Sequence, residues 1–172
     1  MNKRMLIVIV TIILLSIIVY FSLKLSQESI EKRRETLEKA EIVLVSEEEE
    51  KILNIDIIKS IGKKDFQAIL DTSTTDASLH NYTGVELKDI LNYFNIELDN
   101  KKAVILTGVD GYSVAYSIDE VLEDENIFVA YMEDGKYLGT RKDGGRGPYE
   151  SIVVSDQFSF RRCKWLIEIE VK

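Results

Sequence analysis

The sequence predicts an α+β fold of mostly antiparallel and mixed sheet with short helices, preceded by one transmembrane helix. Three observations carry that expectation. An uncharged apolar run, Met5 to Leu23, stands near the N-terminus. Short β-type runs and short helical patterns share residues 42–172. Two Asp-Gly pairs, Asp110-Gly111 and Asp134-Gly135, separate such runs, and their tolerance of positive φ favours hairpins. Strands joined as hairpins, with helices too short for repeated βαβ crossovers, give α+β.

Residues 1–4 form a tail bearing Lys3 and Arg4. Only Thr11, Ser16 and Ser22 interrupt the apolar run that follows. As a helix its 19 residues rise about 28 Å, close to the thickness of a hydrocarbon core. Tyr20 and Phe21 fall where an interfacial aromatic belt is expected. A cleaved signal has a shorter apolar region and a small-x-small site, which this run lacks, so residues 5–23 read as an uncleaved signal anchor. Lys24, Lys32, Arg33, Arg34 and Lys39 follow it, and counting basic residues alone would keep the domain cytoplasmic. Glu28, Glu31, Glu35 and Glu38 neutralise that cluster, and the N-terminal position suits a signal anchor. The domain is therefore read as extracytoplasmic, on a single-pass protein of the cell membrane. Residues 24–41 read as a charged helical stalk, with Glu28–Lys32 and Glu35–Lys39 spaced i,i+4, acid first.

Residues 42–172 form the folded domain. Ile42 to Val45 reads as a strand. Ile57, Ile58 and Ile61 mark one helix face, with Asn54 as N-cap. Leu87, Ile90, Leu91 and Phe94 recur at i, i+3, i+4 and i+7, and Thr83 with Glu86 has capping-box spacing before them. Ser117 and Glu120 repeat that spacing ahead of Val121 and Leu122. Ala103 to Leu106, Phe128 to Tyr131, Lys136 to Leu138 and Ile152 to Val154 read as strands. In the last segment Cys163, Trp165, Ile167, Ile169 and Val171 alternate with polar or charged neighbours and with Leu166, so a strand buries one face.

Charge narrows the function classes. The chain carries −8, but residues 41–172 hold 15 basic and 26 acidic residues, a balance of −11. Nucleic acid is a poor partner for such a surface, because affinity for phosphate chains comes from neutralising them. One Pro and 9 Gly among many branched aliphatics exclude a disordered tail. The domain is long enough to close a core without staples. A single cysteine excludes an internal disulfide and a cysteine-rich zinc site.

Few residues offer chemistry. Cys163 shares a face with Trp165 and Ile167 and reads as buried and inert. His80 reads as an exposed loop histidine in the polar stretch Asp71 to Tyr82, without a second ligand type nearby in sequence, so no metal site is assigned. Gly-x-Ser-x-Gly is absent, and no serine can be tied to the histidine. Gly139 to Arg146 has P-loop spacing with Gly145 where the lysine is required, so it is rejected. Glu47 to Glu50 reads as a solvated turn rather than a calcium loop. Asn81-Tyr82-Thr83 is a bare glycosylation sequon.

One segment opposes the acidic background. Lys136, Arg141, Lys142, Arg146, Arg161, Arg162 and Lys164 face only Asp143, Glu150 and Asp156 there, a local balance of +4. Glycines permit close backbone approach and arginines match oxyanions bidentately. An anion pocket is expected from Gly145, Arg146, Gly147, Arg161 and Lys164, with Tyr112 of the first Asp-Gly turn; the alternative is a flexible connection with solvated charges.

Five motifs in order carry a family resemblance: Tyr82-Thr83-Gly84-Val85-Glu86-Leu87 with Ile90-Leu91; Val109-Asp110-Gly111-Tyr112-Ser113; Ala130 to Leu138; Gly145-Arg146-Gly147-Pro148 with Ile152-Val153-Val154; and Lys164-Trp165-Leu166 with Ile169-Glu170-Val171. Together they resemble the sulfite-oxidase-type molybdopterin-binding domain over residues 42–172. The resemblance implies a pterin cofactor and a molybdenum-ligating cysteine ahead of the Tyr-Thr-Gly-Val segment. Ile69 to His80 contains none, Cys163 lies in the wrong strand, and Glu150 stands where the family has an arginine. A metal without its thiolate loses its anchoring ligand, so self-sufficient molybdenum catalysis is not expected. The expected function is a membrane-anchored, reduced domain of this type that binds a small anionic ligand, such as a pterin, or a membrane redox partner. The rivals are a molybdopterin-dependent oxidoreductase whose missing ligand comes from elsewhere, and a pure interaction module.

Overall fold

A computed structural model describes residues 3–47, 49–72 and 75–172. Met1 and Asn2 of the tail, Glu48 of the acidic run, and Ser73 and Thr74 of the polar stretch lie outside the described residues. Helix α1 (Lys3–Glu38) runs unbroken through the apolar and the charged segments. Its 36 residues reach roughly 54 Å. The large apolar side chains from Ile12 to Leu25 are exposed along it, and the helix is long and apolar enough to cross a membrane. Its end is built by two bonds: Ala40 N–H donates to the Leu37 carbonyl at 3.0 Å and Glu41 N–H to the Thr36 carbonyl at 3.1 Å. Ala40 takes the left-handed conformation (φ 52°) that usually falls to glycine in such a turn.

The chain divides into the unit up to Glu35 and the unit Thr36–Lys172. In the second, β1 (Ile42–Val45), β2 (Glu50–Leu53), β5 (Ala103–Gly108), β6 (Ser113–Ser117) and β10 (Leu166–Val171) form one sheet in the order β2-β1-β10-β5-β6. The other sheet runs β3-β4-β7-β8, from β3 (Lys64–Thr72), β4 (Thr75–Glu86), β7 (Ile127–Glu133) and β8 (Lys136–Tyr137), with β9 (Glu150–Val153) also paired to β7. Among the described residues, β1 with β10 is the parallel pair and the other pairs are antiparallel. Both Asp-Gly hairpins form, β5–β6 and β7–β8, the second with Asp134 and Gly135 at positive φ.

Short helices close the gaps. Asn54 caps α2 (Ile55–Ile61), its Oδ1 accepting from Asp56 N at 3.1 Å and Ile57 N at 3.0 Å. α3 (Leu87–Tyr93) buries Leu87, Ile90 and Leu91. α4 (Ile118–Leu122) starts at the expected capping box of Ser117 and Glu120. The box expected at Thr83 and Glu86 does not form. Thr83 is still in β4 and donates to Asp65 Oδ1 at 2.6 Å, while Glu86 stands as N-cap without a side-chain cap bond. Cross-strand pairing wins because β4 continues to Glu86. The long β3–β4 hairpin also corrects the reading of Asp71 to Tyr82 as a polar loop: pairing with β3 overrides its poor strand composition. The final strand begins at Leu166 rather than Cys163. Trp165 takes φ 51° and the register shifts between Leu166 and Glu168, so Leu166 and Ile167 are both buried.

The main core lies between the sheets and the three helices, joining Leu44, Leu106, Tyr116, Ile169 and their neighbours to Val85, Val129 and Tyr131. A smaller cluster of Ala68, Tyr82, Ala130, Leu138 and Ile152 covers the other face of the second sheet, with Phe66 stacked on Tyr82 at 5.7 Å. The polar residues of interest gather on that face.

Candidate functional site

Alternation along β4 puts His80 and Tyr82 on one face, and register sets Tyr82 opposite Glu133 of β7. The glycine-rich connection from β8 to β9 brings Arg146, β9 brings Glu150, and the approach to β10 brings Arg162. Tyr82 Oη donates to Glu133 Oε1 at 2.9 Å and accepts from Arg162 Nη1 at 2.9 Å. Arg162 Nη2 also donates to the Ile69 carbonyl at 2.7 Å. Arg146 Nε donates to Glu150 Oε2 at 2.8 Å, and its Nη2 lies 2.8 Å from Glu133 Oε1. His80 Nδ1 faces Glu133 at 3.2 Å and Asp134 at 3.1 Å.

Burial sets the electrostatics of this network. It pushes the Tyr82 phenol up to about 12, so Tyr82 remains a donor at neutral pH. Burial opposes the charge of Arg146, but Glu150 and Glu133 outweigh it and hold the guanidinium ionised. Glu150 is fully buried, and that burial raises its carboxyl above the ordinary range despite Arg146, Arg162 and Lys164 around it. Its Oε1 has no hydrogen-bond partner among the described residues.

The residues expected to form an anion pocket fall into separate groups. Gly145, Arg146 and Gly147 cross the start of the last strand, where Trp165 N–H donates to the Arg146 carbonyl at 2.9 Å and Trp165 Nε1 to the Gly145 carbonyl at 2.7 Å. The glycines serve the chain's own packing: a Cβ on Gly145 would lie 2.6 Å from the Gly139 carbonyl carbon, and one on Gly147 2.8 Å from the Gly139 carbonyl oxygen. Lys164 is half-buried, and its charge acts on Glu150. Arg161 is elsewhere, bonded to Asp156 at 2.6 and 2.9 Å and to Glu120 at 2.6 Å. Tyr112 is exposed and donates to the Phe160 carbonyl at 2.6 Å. Arg146 and Arg161 share no partner; each holds two carboxylates of its own. A polar hollow of about 390 Å³, lined by Ser46, Glu47, Phe94, Asn95, Glu97 and Lys101 among others, includes none of these residues.

Cys163 is buried, with Sγ 3.7 Å from the Tyr112 carbonyl, and burial pushes its thiol up to about 12. His80 is not a loop residue: it lies in β4 with two carboxylates and Ser78 as partners. Tyr82, Glu133 and Arg162 were not singled out as site residues by sequence reasoning. Tyr82 and Glu133 meet through the long-range pairing of β4 with β7, which no local pattern in the sequence announces.

The family model for the oxidoreductase molybdopterin binding domain matches residues 45–172. The chain belongs to that family. Its fold is similar to that of the sulfane dehydrogenase SoxCD from Paracoccus pantotrophus, with a TM-score of 0.64 at 13% identity. The likeness covers 76% of this chain but 37% of that one, so the chain spans well under half of that protein. No curated protein matches the sequence.

The family name implies a molybdopterin, and the donor set of this member does not fit a molybdenum-bearing one. The single thiol is sealed in the core. Arg146, half-buried, is paired with two carboxylates, and two buried atoms there have no hydrogen-bond partner among the described residues, Arg146 Nη2 and Glu150 Oε1.

Proposed function

We propose that this chain is a membrane-anchored member of its family that binds rather than catalyses. In this reading α1 is a single-pass anchor in the cell membrane, and the folded unit stands on the extracytoplasmic side. There it engages a membrane redox partner or a small anionic ligand, without self-sufficient oxidoreductase chemistry. One observation carries the reading: Arg146 is neutralised from within by Glu150 and Glu133, while the only thiol is buried. The family fold is kept and its charge is turned inward.

Of the residues expected to line an anion pocket, half-buried Lys164 is the candidate that remains, since the Tyr112 hydroxyl donates to the Phe160 carbonyl. A protein partner is favoured by a specific feature, the stacked pair Phe158 and Phe160, exposed at 52% and 73% with ring centroids 5.6 Å apart.

Metal and pterin analysis of the full chain purified in detergent tests the reading. The expected result is no stoichiometric molybdenum. Molybdenum near one equivalent would favour the rival, an oxidoreductase whose missing ligand is supplied by another subunit. Thermal shift of the same preparation against pterins and small oxyanions separates the two ligand classes, since a ligand specific for the folded state stabilises it. Stabilisation that Lys164→Ala abolishes supports a small anion; none with any compound supports a protein partner. Protease digestion of sealed vesicles of known sidedness reports the orientation.

A further inference from the structure

The chain's single histidine, which the network above leaves at its edge, faces two carboxylates. His80 Nδ1 lies 3.1 Å from Asp134 Oδ2 and 3.2 Å from Glu133 Oε1, and the ligand atoms of all three residues lie within 4.8 Å of one another. In a tetrahedral zinc site with bonds of about 2.0–2.1 Å, neighbouring donors are roughly 3.3 Å apart. Both measured histidine–carboxylate separations are close to that spacing. A cation could be held here by small side-chain rotations, without moving the backbone.

We propose that His80, Glu133 and Asp134 form a binding site for a first-row divalent cation of the zinc type. The donor chemistry selects the class. One imidazole with two carboxylates suits zinc and its neighbours, whereas magnesium and calcium prefer oxygen donors alone. The ligands come from β4, from the end of β7 and from the turn that follows it. Tyr82 and Glu133 are direct cross-strand partners, and Asp134 N–H donates to the Asn81 carbonyl at 2.7 Å.

Each ligand is also oriented from behind, as metal ligands generally are. Ser78 Oγ is 2.9 Å from His80 Nε2, which turns Nδ1 towards the carboxylates. Asn81 N–H donates to Asp134 Oδ1 at 3.1 Å, leaving Oδ2 to face the histidine. Tyr82 Oη donates to Glu133 Oε1 at 2.9 Å.

Side-chain exposures of 25% for His80, 24% for Glu133 and 53% for Asp134 leave the site open to solvent and to a water ligand. Arg146, 2.8 Å from the same Glu133 Oε1 that faces His80, is the opposing charge, and a cation would share that oxygen with it. The site uses neither the thiol nor the pterin chemistry of the family, and it stands whether or not the anchored domain binds an anion.

Zinc titration of the tag-free, EDTA-treated full chain in detergent, followed by calorimetry, tests the inference. One equivalent is expected to bind, with a rise in Tm. His80→Ala and, separately, Asp134→Asn should each weaken affinity at least tenfold, and magnesium should not compete. Ser78→Ala, which touches only the far side of the ring, should weaken it less than either. Asp134 is exposed, so Asp134→Asn is the variant that keeps the test decisive if His80→Ala disturbs the hairpin. No saturable zinc binding by the wild type, or binding unchanged in Asp134→Asn, overturns the site.

Discussion

Arg146 shows how one side chain changes the meaning of a segment. In the sequence it is a cation in a basic, glycine-rich stretch; in the fold it is a half-buried bridge between Glu133 and the fully buried Glu150. Removing one member of a buried pair leaves the other charge uncompensated, at a cost of about 3–5 kcal/mol. Arg146→Ala is therefore expected to lower stability by about that amount in urea unfolding, while the double change Arg146→Met with Glu150→Leu should cost clearly less than the sum of its single changes. A purely ligand-facing arginine would give the opposite pattern, with little stability loss and additive variants. Cys163 is buried as expected, but not through the strand alternation that predicted it, since the strand begins only at Leu166. The bonding of Arg146 was not legible in the sequence, because nothing local distinguishes an arginine that meets a carboxylate from one that meets a ligand.

Capping and pairing compete at the scale of elements, and two look-alike motifs show the outcome. Ser117-x-x-Glu120 caps α4, whereas Thr83-x-x-Glu86 lies within β4 up to its last residue. Ser117→Ala should cost about 1 kcal/mol, as cap losses typically do. Thr83 should instead couple to its strand neighbour. A double-mutant cycle of Thr83 with Asp65 is expected to show coupling on the order of 1 kcal/mol, and a cycle of Thr83 with Glu86 close to none. Strong coupling to Glu86 in that second cycle would restore the cap. The Asp-Gly hairpins were legible because their turn chemistry is local. The β3–β4 hairpin was not, because its strand residues are polar and its stability comes from the neighbours it pairs with.

Across the whole molecule, acid stability follows from which carboxylates are held charged. For Glu86, burial favours the neutral form, but bonds from Lys64, Lys88 and Glu125 N–H outweigh it and lower its pKa; Arg161 and the Ser117 backbone do the same for Glu120. A folded-state pKa below the unfolded value contributes stability that is present above about pH 4.3 and is lost as pH falls through the folded value. Glu150, raised by burial, works in the opposite sense and offsets part of the loss at low pH. Urea midpoints are expected to be flat between about pH 7 and 5 and to fall below about pH 4, with Glu86→Gln less stable at neutral pH and less sensitive to acid. By itself the sequence determined the apolar helix, the α+β class, the two tight hairpins and the helix faces that meet the core, since periodicity, turn residues and caps act over a few positions. Only the tertiary structure decided that Arg146 and Arg161 belong to different carboxylate pairs and that His80 meets Glu133 and Asp134. Those meetings join residues far apart in the chain, 80 positions in the case of Arg162 and Tyr82, and they are set by strand register and loop crossing, which leave no trace in local composition.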